Sequence, residues 1–553
     1  MPERATVGAV VAAFLEQCGV STAFGVISIH NMPILDAIGQ RGQIRFVGSR
    51  GEAGAVNMAD AFARITGGLG VAVTSTGTAA GNAAGAMVEA QTAGTPMLHL
   101  TGQIELAHLD RGRAYIHEAH DQLAMLEAVS KAAFRVWSPD TTLATVKEAV
   151  RTALTAPTGP VSVEIPIDVQ AAEIDWPDDL APHPVMASVP APAALDRLAD
   201  RLADAKRPIL WLGGGARHAG AAVARFADMG VAVVSSTQGR GILPEHHPMS
   251  LGAFTAHGAI ERFYRSCDTM VVVGSHLRGN ETLTFKLKLP RPLYQIDADA
   301  RAENRSYPVD GFVHSDSALA LDGIADRLAG RLTVEAAFRK EVATARTGAE
   351  SALRDSIGPY AALVDALQAA AGRDFVWVRD VTISNSTWGN RLLNVFSPRD
   401  GVHAVGGGIG QGLPMAIGAA LGAEGRKTLC LSGDGGLQLC LGELATAAQE
   451  RADMVLLVMN SGGYAVIKNI QDAHYGGRHR YVDLLTPDLG TVAGAMGIPH
   501  RRLTALGDAP AAFDQALARR GPSIVEVDMA SIGEFAQAFA GPPVREKAKE
   551  PAE

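Results

Sequence analysis

The sequence predicts an α/β protein of three doubly wound, parallel-sheet domains, and three observations carry that expectation. Short apolar runs such as GVAVTS, RPILWL, TMVVVG and MVLLVMN recur along the chain and end in Gly or a small polar residue. Between them lie stretches of helical character such as EAGAVNMADAFARITG, and this alternation builds βαβ units whose continuous apolar strands belong to sheets covered on both faces. At 553 residues the chain is also long for one core, with room for three or four ordinary domains.

The first unit, residues 1–175, runs IRFVGS, helix, GVAVTSTG, the helix AAGNAAGAMVEAQTAG and PMLHLTGQ. Its opening VGAVVAAFL places Val7, Val10, Val11, Phe14 and Leu15 on one helical face beside Glu3 and Glu16. That reads as an amphipathic core helix rather than a signal peptide or membrane span. A proline-rich linker follows Trp176. The second unit, 190–330, has strands RPILWLGGG, VAVVSSTQG, TMVVVGSHL and RPLYQIDAD, and a polar, helix-compatible stretch with alternating charges closes at Gly358 and Pro359. The third unit spans 358–535, and 536–553 reads as a flexible charged tail. Residues 70–103 and 425–462 echo one another as strand, Gly-rich turn, helix and strand. Right-handed crossovers put both turns at the carboxyl edge of a sheet, where open α/β folds bind ligands.

A net charge of -9 gives no electrostatic footprint for nucleic acid or anionic lipid, so neither is an expected partner, and an anionic ligand needs a local device. Cys18, Cys267, Cys430 and Cys440 lie far apart without a CxxC pair, which fits a reduced, cytoplasmic setting. His246 and His247 are adjacent, the wrong spacing for two ligands on one helix face.

The device lies in LSGDGGLQLCLGELATAAQERADMVLLVMNSGGYA. Asp434 and Asn460 end two strands that should be neighbours, and Gly462 follows in a loop where a carbonyl can turn inward. One carboxylate plus neutral oxygens suits Mg²⁺, whose remaining positions go to phosphate and water. Gly433, Gly435 and Gly436 permit close backbone approach, and a helix expected to begin near Leu437 points its N-terminus at the same place. A glycine-rich turn with an N-capping Asp explains Asp434 equally well, but it leaves Asn460 unexplained.

GDG, then 24 residues, then Asn460-Ser461 resembles the thiamine diphosphate motif of the acetolactate synthase, benzoylformate decarboxylase and pyruvate decarboxylase superfamily. The usual second Asn of that motif is Ser461 here. The resemblance covers about residues 1 to 535 and implies that the three units are pyrimidine-binding, central and diphosphate-binding domains. It implies thiamine diphosphate and Mg²⁺ as cofactors, with Asp434, Asn460 and the Gly462 carbonyl on the metal. Glu52, in SRGEAGAVNMADAFARITG, matches the glutamate that hydrogen-bonds the aminopyrimidine ring and promotes its imino form. Asn82 matches a structural support. In VGGGIGQGLPMAIGAA, Gly407 would offer a carbonyl to the exocyclic amine and Ile409 the wedge beneath the two rings. Thr382 and Ser384, in DVTISNSTW, are candidate diphosphate contacts.

The same resemblance implies a site built between two chains, hence at least a homodimer, often a homotetramer. WLGGGARHAG lacks GxGxxG with a following acid at the ribose spacing, so FAD or another nucleotide in the central domain rests on family analogy alone and is not indicated. His276 and Arg278 are weak candidates for recognising a carboxylate. The stretch FGVISIHNM matches the loop that in that family faces the reacting carbon, and it offers Ser28 and His30 there. His117, in YIHEAHDQL, falls where acetolactate synthases carry Gln and pyruvate decarboxylases carry His. A near-neutral imidazole can shuttle protons there, though His30, His117 and His120 each read singly as surface or interface histidines too.

The expected activity is decarboxylation of a 2-oxo acid, with attack by the cofactor's C2 carbanion on the ketone and loss of CO₂. Capture by a proton gives an aldehyde; capture by a second carbonyl gives a 2-hydroxy ketone. The alternatives are an acetolactate-synthase-like carboligase, carbon–carbon cleavage of a diketone or 2-hydroxyacyl-CoA, a non-catalytic cofactor-binding relative and, from another cofactor class, a nicotinamide dehydrogenase.

Overall fold

The chain is seen in a computed structural model that describes residues 4–539. The expected tail lies outside the described residues from 540 onward.

Three separate parallel sheets form, as the alternation of apolar runs and helices requires. The first holds, in spatial order, Arg45–Gly48, Thr22–Gly25, Gly70–Thr74, Met97–Gln103, Pro160–Pro166 and Ala132–Arg135. The last holds Gly401–His403, Phe375–Arg379, Lys427–Gly433, Met454–Asn460, Ser523–Asp528 and His500–Leu503. Numbered by their place in sequence, the strands of both sheets run 2-1-3-4-6-5. The echo between 70–103 and 425–462 is thus the third and fourth strands of one topology used twice. The middle sheet, Ala232–Ser235, Pro208–Leu212, Thr269–Val273, Leu293–Asp297 and Gly311–His314, runs 2-1-3-4-5. In each sheet the order reverses between the first and third strands, and the loops leaving those two strands flank the crevice where such folds bind ligands.

The polar stretch after the middle unit is the helix Phe338–Ile357. It spans two units: Glu341 pairs with Arg207, and Arg346 donates to Asn394 Oδ1 at 3.2 Å. The first and last units dock through the helices Glu52–Thr66 and Gly412–Gly422. Gly418 makes that approach feasible, because a Cβ there would lie 2.1 Å from the Met58 carbonyl oxygen. One expectation is corrected: the helix of the GDG turn starts at Asp434, not near Leu437, and ends at Gln438. The glycines lower helix propensity, but hydrogen bonds from the neighbouring strand's end fix Asp434 in place, so tertiary contact overrides the local preference.

Within the first sheet, His99 is wholly buried, its Nε2 2.8 Å from Thr74 Oγ1 and its Nδ1 3.1 Å from Ser162 Oγ. Burial holds its pKa down at about 4. The unfolded chain therefore binds more protons than the folded one between that value and the ordinary one near 6.5, so stability falls as pH drops through this window. We expect this one group to remove about 3 kcal/mol of stability between pH 7 and pH 4. His99→Gln should flatten that part of the pH dependence in denaturant titrations. Among the described residues no helix is long and apolar enough to cross a membrane, and all four cysteines are free.

Candidate cofactor site

The crevice of the last sheet brings the GDG turn and the expected diphosphate contacts together. Lys427–Gly433 and Met454–Asn460 are adjacent and parallel, with Gly433 opposite Met459, so Asp434 and Asn460 leave the two strands side by side. Asp434 is buried. Its Oδ1 accepts from the Ser461 backbone N–H at 3.1 Å and from Ser461 Oγ at 3.3 Å, while Oδ2 is shielded from solvent without a hydrogen-bond partner. Burial raises the Asp434 pKa, opposed by the N–H groups of Ser461 and Gly463. A buried carboxylate oxygen with free lone pairs is costly unless something positive meets it. The Asn460 amide is fixed at both ends: Nδ2 donates to Glu526 Oε1 at 2.7 Å, and Oδ1 accepts from Gly462 N at 3.1 Å. Gly462 takes the left-handed conformation, φ 76°.

Among the described residues no group of three or more His, Cys, Asp or Glu could hold a metal. The donor set expected here is a different kind, one carboxylate, one amide and one carbonyl, the last of which also accepts from Leu484 N at 3.4 Å, and such a set would suit a hard cation whose other ligands come from phosphate and water. The orphaned Asp434 oxygen is thus what a metal-bound diphosphate would need.

The other residues expected here fall into two groups. Thr382 is buried beside Gly433, its Oγ1 accepting from Asn385 N at 3.3 Å, and Ser384 is buried with an unpartnered hydroxyl. Crowding at Gly435 and Gly436 comes from within the protein: a Cβ at Gly435 would sit 2.8 Å from Tyr464, and one at Gly436 would sit 3.0 Å from Asp380 Oδ2. Gly407 has φ 86° with open space around it, and Ile409 stays 37% exposed in the single chain.

Two acids that sequence reasoning missed hold these parts in register. Asp380, fully buried at the end of Phe375–Arg379, accepts from Gly410 N at 3.1 Å and from Val381 N at 2.8 Å, tying the loop of Gly407 to the GDG turn. Burial raises its pKa to about 6 against those backbone donors. Glu443, whose pKa burial also raises, accepts from Arg50 N at 3.1 Å and so meets the segment that leads into Glu52. An acid closing an apolar run was the one available signal for Asp380; Glu443 carried none.

The second group sits on the first sheet. Glu52 opens its helix after Gly51, and Asn82 Nδ2 donates to its Oε2 at 3.1 Å, so the expected support touches the expected acid. His30 is buried and His117 exposed, their rings 5.1 Å apart edge to face. His117 is held in a left-handed conformation, φ 68°, against the turn at Gly77, where a Cβ would lie 2.3 Å from its carbonyl oxygen. Burial lowers the His30 pKa, the charge of His117 lowers it further, and Glu105 opposes both. His120 is exposed. No hydrogen bond among the described residues joins Glu52 to Asp434. Arg278 donates through one Nη to the Val405 carbonyl. With His276 it lines a cavity of about 640 Å³ between the first and middle units, beside Gly213, Gly215 and Arg217.

Comparison with known proteins places these two groups. Residues 5–125 match the thiamine pyrophosphate enzyme N-terminal TPP binding domain, 195–324 the central domain and 382–527 the C-terminal TPP binding domain. The chain is also 32% identical over 469 residues, 84% of its length and 83% of the relative's, to a probable 2-ketoarginine decarboxylase of Pseudomonas aeruginosa. The chain belongs to the thiamine pyrophosphate enzymes. It is similar as well to the acetolactate synthase isozyme 1 large subunit of Escherichia coli K12, 28% identical with 95% of this chain and 94% of that one covered. The glyoxylate carboligase of Escherichia coli O157:H7 is 28% identical, with 93% and 91% covered. In this thiamine pyrophosphate enzyme the Glu52 group lies within the N-terminal TPP binding domain and the Asp434 group within the C-terminal one.

Proposed function

We propose that this thiamine pyrophosphate enzyme decarboxylates a 2-oxo acid to an aldehyde. The observation that carries the reading is the His30–His117 pair, two imidazoles 5.1 Å apart at the carboxyl edge of the N-terminal sheet. When bound, the cofactor supplies a carbon nucleophile and an electron sink for the departing CO₂. The chain's own residues do the rest. Asp434, Asn460 and the Gly462 carbonyl hold Mg²⁺, and Thr382, Ser384 and the backbone of Gly433, Gly435 and Gly436 take the diphosphate. Gly407 and Ile409 orient the rings. The Glu52 carboxyl, kept in place by Asn82, carries the proton exchanged with the aminopyrimidine. His30, which burial keeps neutral, accepts or relays a proton through His117, and proton delivery to carbon is the step that makes an aldehyde rather than a ketol.

The working unit in this reading is a homodimer or a pair of them, with Glu52 of one copy facing Asp434 of the other. Exposed Ile27 (62%), Ile29 (66%) and Ile409 (37%) on the loops concerned support a second copy as their cover. A carboligase remains the second reading, favoured by similarity to acetolactate synthase and glyoxylate carboligase over more than nine-tenths of the chain.

The test is product analysis with aliphatic, aromatic and guanidino 2-oxo acids, the last included because a relative is named as a 2-ketoarginine decarboxylase. Aldehyde and CO₂ in equal amounts are expected. Acetolactate from pyruvate as the main product would replace the decarboxylase reading with the carboligase one.

A further inference from the structure

The loop that leads into Gly407 is held by its own domain only at its start, where Ala404 N donates to the Arg379 carbonyl at 3.4 Å and Asn385 Nδ2 lies 3.2 Å from His403 Nδ1. Strand Gly401–His403 is an edge strand, and the residues after it have few partners in their sheet. Side chains from the other two domains hold the rest of it. Glu89, 1% exposed on the helix Thr78–Ala93, accepts from Val405 N at 2.7 Å through Oε1 and from Gly406 N at 2.5 Å through Oε2. Arg64 donates to the His403 carbonyl at 2.8 Å and to Glu89 Oε1 at 3.1 Å, while Asp60 neutralises its remaining charge at 2.7 Å. Arg278 of the central domain donates to the Val405 carbonyl.

Four backbone groups over four residues, His403 O, Val405 N, Val405 O and Gly406 N, are therefore satisfied from outside, and the next residue is Gly407. Close fit makes the arrangement specific, since a Cβ on Gly406 would come within 2.7 Å of Glu89 Oε2. The helices involved are the ones whose N-terminal halves carry Glu52 and Asn82; Arg64 and Glu89 lie toward their other ends.

We propose that Glu89, supported by Arg64 and Arg278, is a positioning residue for cofactor recognition, setting the loop so that Gly407 presents its carbonyl to the pyrimidine half of thiamine diphosphate. The proposal rests on the reading of Gly407 given above. A carboxylate is needed because both neighbours are N–H donors. Glutamine keeps the volume and leaves Arg64 paired with Asp60, but its NH₂ faces one of those donors and cannot accept.

Among the described residues no hydrogen bond joins Glu89 to the diphosphate turn, so its loss should be felt by one half of the cofactor only. In calorimetric titrations with Mg²⁺ present, Glu89→Gln is expected to weaken thiamine diphosphate binding by about tenfold or more while inorganic pyrophosphate binds within about twofold of wild type. Arg278→Met should show the same selective loss and Arg278→Lys should recover part of it, which keeps the test available if the buried variant folds poorly. Equal weakening of both ligands, or no weakening of either, overturns the positioning role. If the wild-type protein itself binds thiamine diphosphate no better than pyrophosphate, the reading of Gly407 has failed, and that result is separable from a failure at Glu89.

Discussion

Replacing Glu52 by glutamine is expected to lower turnover by about 10²–10⁴-fold while thiamine diphosphate and Mg²⁺ bind within a few-fold of wild type. The two effects separate because Glu52 has two jobs that glutamine divides. Asn82 donates to Oε2 at 3.1 Å, and a glutamine carbonyl still accepts that bond, so the side chain stays in place and the pocket keeps its shape. What the amide cannot do is exchange a proton with a ring nitrogen, the step for which the sequence motif marked this residue. Steady-state rates paired with calorimetric cofactor titration read the two jobs independently. Turnover unchanged in Glu52→Gln would remove the acid from the mechanism; cofactor binding lost together with turnover would make it a packing residue. Asn82→Ala serves as the intermediate case, with the acid present but unheld.

Much of the architecture was legible because strand signals in a parallel sheet are strong: TMVVV and PILWL are buried throughout, and short apolar runs ending at Gly fit a sheet covered on both faces. The echo between residues 70–103 and 425–462 even placed the two turns correctly, since both segments form the third and fourth strands of the same order. The pairing of Asp434 with Asn460 followed from neighbouring strand ends. Other parts depended on tertiary neighbours that no local pattern reports. Asp380 is a single acid after an apolar run, and its value comes from Gly410 in a loop and Gly436 in the short helix, which approach it from separate segments. Glu89 lies toward the C-terminal end of its helix between Val88 and Ala90, where nothing announces that the backbone of residues 405 and 406 will dock on it. His30 and His117 read singly as either proton shuttles or surface histidines, and no local pattern reports that their rings meet edge to face, 5.1 Å apart. The late start expected for the GDG helix has the same origin, a contact from Ser461 that outweighs three glycines.

That contact also changes what Ser461 does, and it sharpens the expectation for the metal. The residue at this position would otherwise be read as shaping the loop; here its N–H and Oγ both hold Asp434 Oδ1, which leaves the buried Oδ2 with nothing to bond. Asp434→Asn keeps the shape and removes the charge, and an amide oriented by the same two donors would present NH₂ where a cation should sit. We expect Mg²⁺-dependent cofactor binding to fall by more than about 100-fold, beyond what loss of an outer partner to a metal ligand usually costs. Asn460→Ala should weaken it less, since one neutral oxygen is lost and water can replace it. Ser461→Ala removes the longer of two bonds and should cost within about tenfold. Ser461→Asn should be nearly silent, because the amide NH₂ can donate where the hydroxyl did. Titrating Mg²⁺ into each variant at fixed thiamine diphosphate orders the four. If Ser461→Asn proved more damaging than Asn460→Ala, or Asp434→Asn bound Mg²⁺ normally, the metal would have to be sought on other oxygens of the crevice, with the unpartnered hydroxyl of Ser384 the first to test.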